Sequence, residues 1–328
     1  MNRILSTAVL FTISFAAGCG NKAAIKPAET GKALLTVNFQ EGKTLKYSFV
    51  SEREIIVDWN PAAIKDENKD SILNKSMEKL DLIMTYTPIE IDSNGLTTIK
   101  TVCQNAQVRR SEGAQKDAAE YFAGKSYTFT IDSSGKIYDY SQLRELIRQT
   151  GEKAFNNGTG KNRIKEPDMI GDFTAAQWFM WDSIASIPNA SKRVGIEQNW
   201  TSKLSVPTPM VSRLARDVTY SLDEIRPVGN ANIAVISSRY SKSDSVPQSW
   251  PVPYTGSFQM RGTFGLLRGY KLLDLTGRGQ ELFNIDSGQI EEYNQQYNVA
   301  IQASVPIGIS VKPVINIKQT ISMTLIEE

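Results

Sequence analysis

In Val299-Ala300-Ile301-Gln302-Ala303-Ser304-Val305-Pro306-Ile307-Gly308-Ile309-Ser310-Val311, branched or small apolar side chains hold the odd positions, and the even positions are mostly polar or small. The same parity resumes at Ile315, Ile317, Ile321, Met323 and Leu325. A period of two sustained this long predicts β-strands with one buried face and one wet face. Pro306, Gly308 and Pro313 interrupt the ladder, so the stretch reads as a hairpin or as edge strands, not as one straight strand. Leu35, Val37 and Phe39 repeat the pattern, as do Leu45, Tyr47 and Phe49. It returns in Leu80, Leu82, Met84 and Tyr86 and in Val218, Tyr220 and Leu222. The expected fold is mainly β (β-rich α+β). Its long antiparallel strands would form a curved sheet, a half-barrel or two similar β halves, with two or more short helices.

Three turn phrases join such runs: Ile91-Asp92-Ser93-Asn94-Gly95-Leu96, Ile131-Asp132-Ser133-Ser134-Gly135-Lys136-Ile137 and Ile285-Asp286-Ser287-Gly288-Gln289-Ile290. Glycine takes the positive φ of a tight turn, and aspartate bonds the backbone of its own turn, so each predicts a hairpin tip. Phe129 and Phe283 stand two residues before the second and third phrases, which begin 154 positions apart. Convergent hairpin chemistry accounts for the likeness, with an internal duplication as the alternative.

Two helices are expected between the strands. Ser141 would cap Gln142 to Phe155, with Leu143, Leu146 and Ile147 on one face. Asp172 would cap Phe173 to Ile184, a segment that also carries Trp178, Phe179, Met180 and Trp181. The polar loop from Asn156 to Asn162 marks a boundary near 156–166. A second loop, Lys242 to Gly256, sets Trp250 and Tyr254 among three prolines.

Composition removes several chemistries. The 328 residues include no histidine and two cysteines, with 37 Lys and Arg against 35 Asp and Glu. Histidine triads, histidine zinc sites and cysteine zinc sites are therefore excluded, and no basic footprint points to nucleic acid. Cys103, in Thr98-Ile99-Lys100-Thr101-Val102-Cys103, reads as a small buried apolar side chain on a strand. No cofactor is expected.

Arg3 precedes a short apolar run that ends in Ala16-Ala17-Gly18-Cys19. This resembles a bacterial lipoprotein signal, with Ala16 where that family usually has leucine. The resemblance implies cleavage after residue 18 and lipidation of Cys19 by diacylglycerol and an acyl group such as palmitate. Gly20, which is not aspartate, implies the outer membrane, facing the periplasm. The expected layout is a signal peptide at 1–18, a flexible tether at 19–31 and a β-rich globular region at 32–328. An ordinary secretory signal is the alternative, and either leads to export.

Other motifs carry less. Asp66, Asn68 and Asp70 have calcium-loop spacing, but Ser71 stands where glycine is needed and Met77 where a bidentate glutamate is needed, so the stretch reads as a solvated loop. Ser76 and Lys79 have the spacing of penicillin-recognising enzymes without the Lys-Thr-Gly triplet that completes such sites. Asp58, Glu90 and Asp274 are candidates for an acid and base pair, with nothing to single them out.

The aromatic helix is the strongest lead. Phe173, Trp178, Phe179 and Trp181 are candidate lining for a hydrophobic ligand, against the plainer reading of core packing. Trp250 and Tyr254 are a candidate contact loop, against a packed lid. The mature chain looks similar in kind to the half-barrel lipoproteins and lipoprotein carriers of bacterial envelopes, which hold an acyl chain between a curved sheet and a helical lid. Pro188, Val194-Gly195 and Trp200 also resemble a pattern in uncharacterised secreted or lipoprotein families without an assigned activity. These resemblances imply a non-enzymatic binding or structural lipoprotein, with the membrane, a lipid or an envelope protein as partners and no nucleic acid. A protein-binding envelope scaffold and a histidine-free carboxylate hydrolase are the rival readings.

Overall fold

The computed structural model describes residues 31–59, 73–111, 117–155, 169–189, 193–211, 213–247, 266–306 and 311–327. Six strands come first: β1 (Lys32–Ala33), β2 (Leu45–Asp58), β3 (Leu73–Ile91), β4 (Thr97–Arg110), β5 (Ser126–Ile131) and β6 (Ile137–Asp139). Three helices follow: α1 (Ser141–Phe155), α2 (Ile170–Phe179) and α3 (Asp182–Ala185). Then come β7 (Val194–Gly195), β8 (Asn199–Ser205), β9 (Ala215–Val228), β10 (Ala231–Lys242), β11 (Arg268–Asn284), β12 (Gln289–Ser304) and β13 (Val314–Glu327).

Eleven strands form one curved antiparallel sheet in the order β6-β5-β4-β3-β2-β13-β12-β11-β10-β9-β8. Each half is a meander, and β2 pairs with β13 in the middle, so the centre of the sheet joins early and late segments of the chain. The alternation around Val299 to Leu325 is the β12–β13 hairpin. Both strands are internal, not edge strands, because β11 and β2 flank them. Val299, Ile301, Ala303, Ile315, Ile317, Ile321 and Met323 all face the core.

The turn phrases fold as hairpin tips, with φ of +80° at Gly95, +81° at Gly135 and +71° at Gly288. Asp92 and Asp132 accept their own turn amides: Asn94 and Leu96 in one, Ser134 and Lys136 in the other. The third turn differs. There Asn284 Oδ1 takes the amides of Asp286 and Ser287, and Asp286 instead accepts the Asn232 amide of the next hairpin at 2.7 Å.

Leu35, Val37 and Phe39 are buried but form no ladder strand; only Lys32–Ala33 pairs, with β7. The segment is an extended strap across the hairpin tips. Val37 N donates to Ser133 O at 2.8 Å and Asn38 N to Gly288 O at 3.0 Å, so adjacent amides are held by turns from the two halves of the sheet. A Cβ on Gly288 would lie 2.6 Å from Asn38 backbone and side-chain atoms, so this approach requires glycine.

The helices depart from expectation at their starts. Asp139 Oδ1 accepts the Ser141 amide at 2.8 Å, so the cap of α1 lies ahead of Ser141. α2 begins at Ile170 with Met169 at its N-cap, and Asp172 lies inside the first turn, drawn into a buried ion network. α2 stops at Phe179, and α3 is a separate turn that starts at Asp182. The boundary region 156–166, the calcium-like stretch before Leu73, and Cys19, Trp250 and Tyr254 lie outside the described residues.

Candidate functional site

Cross-strand register places a polar belt on the otherwise apolar inner face of the sheet. One row runs Val218, Tyr240, Gly277, Tyr297, Gln319, Arg53, Glu78, Arg110 from β9 to β4. The next runs Ser238, Gly279, Gln295, Ile321, Ser51, Leu80. Apolar rows bound the belt: Leu275, Val299, Ile317 and Ile55 on one side, Met323, Phe49 and Leu82 on the other.

In the first half of the sheet, the belt is an ion network whose cations all face carboxylates, although Asp172 Oδ1 and Gln319 Oε1 take no hydrogen bond among the described residues. Arg53 Nε donates to Glu78 Oε2, Arg110 Nε donates to Glu78 Oε1 at 2.9 Å, and Arg110 Nη2 donates to Asp117. Asp172 descends from α2 to 3.6 Å from Arg53 Nη1. Its Oδ2 accepts from Ser51 Oγ at 2.8 Å and Gln319 Nε2 at 3.0 Å. Asp117 also caps the 3-10 turn Ala118–Phe122 through the Ala119 amide. Burial lifts the Asp172 pKa above the usual carboxylate range, although Arg53, Ser51 and Gln319 pull it down. The network pins α2 to the sheet.

In the second half, the belt surrounds Arg216, 3% exposed at the start of β9. Its guanidinium carbon stacks 5.0 Å from the Tyr240 ring centre and 4.6 Å from that of Tyr297. Gly277 makes room for those rings, since a Cβ there would lie 2.8 Å from Tyr297 and 3.2 Å from Tyr240 ring carbons. Among the described residues, Arg216 Nε and Nη1 have no hydrogen-bond acceptor. The neighbouring carboxylates are already engaged. Asp182 accepts from Tyr220 Oη at 2.7 Å and Ser202 Oγ at 3.0 Å, and Glu281 accepts from Ser183 Oγ at 2.8 Å. Burial pushes Asp182 up to about 6 and Glu281 up to about 8.

Arg216 lines a pocket between α2 and the sheet, together with Phe49, Ala175, Ala176, Phe179, Met180, Pro207, Tyr293, Gln295, Ile321 and Met323. The pocket exists because α2 presents Ala175 and Ala176 here, whereas its other sides carry Phe173 and Trp178. Its volume is about 20 Å³, room for roughly one water.

The predicted aromatic residues do not gather around one space. Phe173 stacks on Phe122 at 4.1 Å, and Trp178 stacks on Tyr140 at 3.8 Å. Trp181 packs among Phe39, Tyr86 and Phe129. Of the four, Phe179 lines the pocket. Cys103 is a buried free thiol pushed up to about 12 by burial, as suits a packing residue. Ser76 and Lys79 fall on opposite faces of β3, since three residues along a strand reverse the side chain. Asp58 and Glu90 lie near opposite ends of the neighbouring strands β2 and β3, and Asp274 is exposed on β11. They form no pair. Among the described residues, no group of three or more Cys, Asp or Glu side chains is placed to hold a metal ion. Among those residues, no helix is long and apolar enough to cross a membrane.

Arg216, Glu281, Gln295, Gln319, Arg53, Glu78 and Ser51 were not singled out from the sequence. Their signal was present: each occupies the buried parity of a strand whose other members of that parity are mostly apolar.

No protein-family model matches this chain, and no curated protein matches it. Solved structures similar to it include one described as lipid-protein interactions in lipovitellin, at 11% identity and a TM-score of 0.42. That alignment covers 88% of this chain and 25% of the other, so this chain spans about a quarter of the length of that protein.

Proposed function

We propose that this chain is a non-enzymatic lipoprotein of the bacterial envelope that holds a hydrophobic ligand between its curved sheet and α2. The observation that carries the reading is the pocket walled by Phe49, Phe179, Met180, Ile321 and Met323, at the one place where α2 turns alanines toward the sheet. Each methylene seated there contributes ~0.8 kcal/mol. Anything longer than a water must displace Phe179, Met180 or Met323, and the two methionines are unbranched side chains that repack at low cost. The signal-like run that ends at Cys19 supports tethering at the outer membrane. A non-enzymatic role is supported by the absence of histidine from the sequence.

Solvent extraction of the purified full chain, followed by mass spectrometry, is expected to release an acyl-chain lipid. Ala176→Val, which narrows the pocket by two methyl groups, is expected to lower its yield severalfold with little loss of thermal stability. Absence of extractable lipid, together with no binding of a fluorescent acyl probe, overturns the reading.

A further inference from the structure

We infer that Arg216 is the head-group site of this pocket and that the ligand class is an amphiphile with a carboxylate at the end of an apolar chain. The inference rests on the ligand-binding reading above and adds the chemistry of the head.

A buried guanidinium is stable only when its charge and its N–H groups are answered. Here the charge is answered by ring faces: Tyr240 and Tyr297 lie within 5.0 Å of the guanidinium carbon. The Tyr297 hydroxyl takes a hydrogen bond from the guanidinium, but ring faces accept none of the conventional kind, so among the described residues Nε and Nη1 have no acceptor. Asp182 and Glu281 take their hydrogen bonds from Tyr220, Ser202 and Ser183, and Asp182 interacts with Arg216 through its charge without a hydrogen bond to it. The same side chain borders the apolar wall formed by Phe49, Ile321 and Met323. A cation with spare donors at one end and hydrocarbon beside it match a carboxylate on an acyl chain. Tyr240 and Tyr297 flank the guanidinium, and Asp182 lies near enough to feel its charge, so a bound carboxylate would share the cation with Asp182.

Charge-assisted hydrogen bonds of this kind give about tenfold to a hundredfold in affinity. The test measures oleate, oleyl alcohol and acetate binding to the purified, delipidated full chain by calorimetry, with Arg216→Met and Arg216→Lys alongside wild type. Oleate is expected to bind wild type at least tenfold tighter than oleyl alcohol, acetate much more weakly than oleate, and Arg216→Met to erase the preference for the acid. Arg216→Lys keeps the charge and is expected to retain part of the preference. Equal binding of oleate and oleyl alcohol to wild type overturns the head-group assignment and leaves the ligand reading standing. Acetate as strong as oleate also overturns the assignment, because the site then takes a bare anion. Binding of neither oleyl compound overturns both. The wild-type comparison decides the matter even if a variant does not fold.

Discussion

Arg53 and Arg216 are buried on the same face of one sheet, at 2% and 3% exposure, and the protein answers them in opposite ways. Arg53 meets Glu78 and Asp172, and this network extends through Arg110 to Asp117 and into a helix cap. Arg216 meets aromatic rings and has donors to spare. A buried charge whose partners close on one another is architecture; its job is to register helix against sheet. A buried charge left partly open has no such internal explanation, and it borders the pocket beneath α2.

The sharpest way to break this contrast is to remove Arg53. Arg53→Met leaves Asp172 buried without its cation and Glu78 with Arg110 alone, and breaking a buried pair in this way costs about 3–5 kcal/mol. Urea unfolding is expected to show that loss, with local hydrogen exchange rising first in α2, which Asp172 ties down. A loss below about 1 kcal/mol would show that the network does not hold α2 to the sheet.

Rising pH tests the second half through Glu281. Burial raises Glu281 to about 8, against an ordinary value near 4.5, so the folded chain binds more protons than the unfolded chain across that window. Stability therefore falls as pH rises from about 4.5 to 8 and levels off above it, by an amount on the order of a few kcal/mol. Asp182, raised to about 6, adds a loss of the same sign at lower pH. Thermal scans from pH 5 to 9 are expected to show a falling Tm that Glu281→Gln flattens above pH 6. An unchanged slope in that variant would move the titration elsewhere.

How far the sequence spoke follows the same divide. Period-two alternation announced the strands, the hairpin of β12 and β13 and the inward face, because burial of one side of a strand imposes that period locally. The pairing of β2 with β13 left no local mark, since strands far apart in sequence recognise each other only through register. The strap at Leu35 to Phe39 read as a strand because its side chains alternate in burial as a strand's do, although its amides bond to turns instead. Asp172 read as a cap because aspartate ahead of an aromatic helix usually is one. Arg53, four positions after Phe49 in the same alternation, pulls it inside. The pocket was legible only in part: Phe179 stood out as an aromatic, but Ala175 and Ala176, which create the space, are silent in any pattern of large side chains. Arg216 was visible as a charge at a buried parity, next to the run Val218, Tyr220, Leu222, and that break in the alternation marks the site.

The smallest expected effect tests the contrast most directly. If Arg216 served the fold as Arg53 does, Arg216→Met would cost several kcal/mol. Asp182 and Glu281 keep their hydroxyl partners when the guanidinium is gone, and Asp182 loses only the field of a cation that does not hydrogen-bond it. Methionine keeps the apolar stem against Tyr240 and Tyr297, gives up a cation–π attraction worth about 2 kcal/mol when desolvated, and removes the cost of burying donors without acceptors, about 1–3 kcal/mol. The two terms oppose each other at similar size. Urea midpoints of wild type and Arg216→Met at pH 7, without added ligand, are therefore expected to agree to within about 1 kcal/mol. With oleate present, the wild type should gain stability and the variant should gain less, since a ligand stabilises only the state that binds it. A large loss without ligand would place Arg216 with Arg53 among the residues that hold the sheet and helix together. Near-equality without ligand and divergence with it would mean that the fold tolerates an open cation because binding closes it.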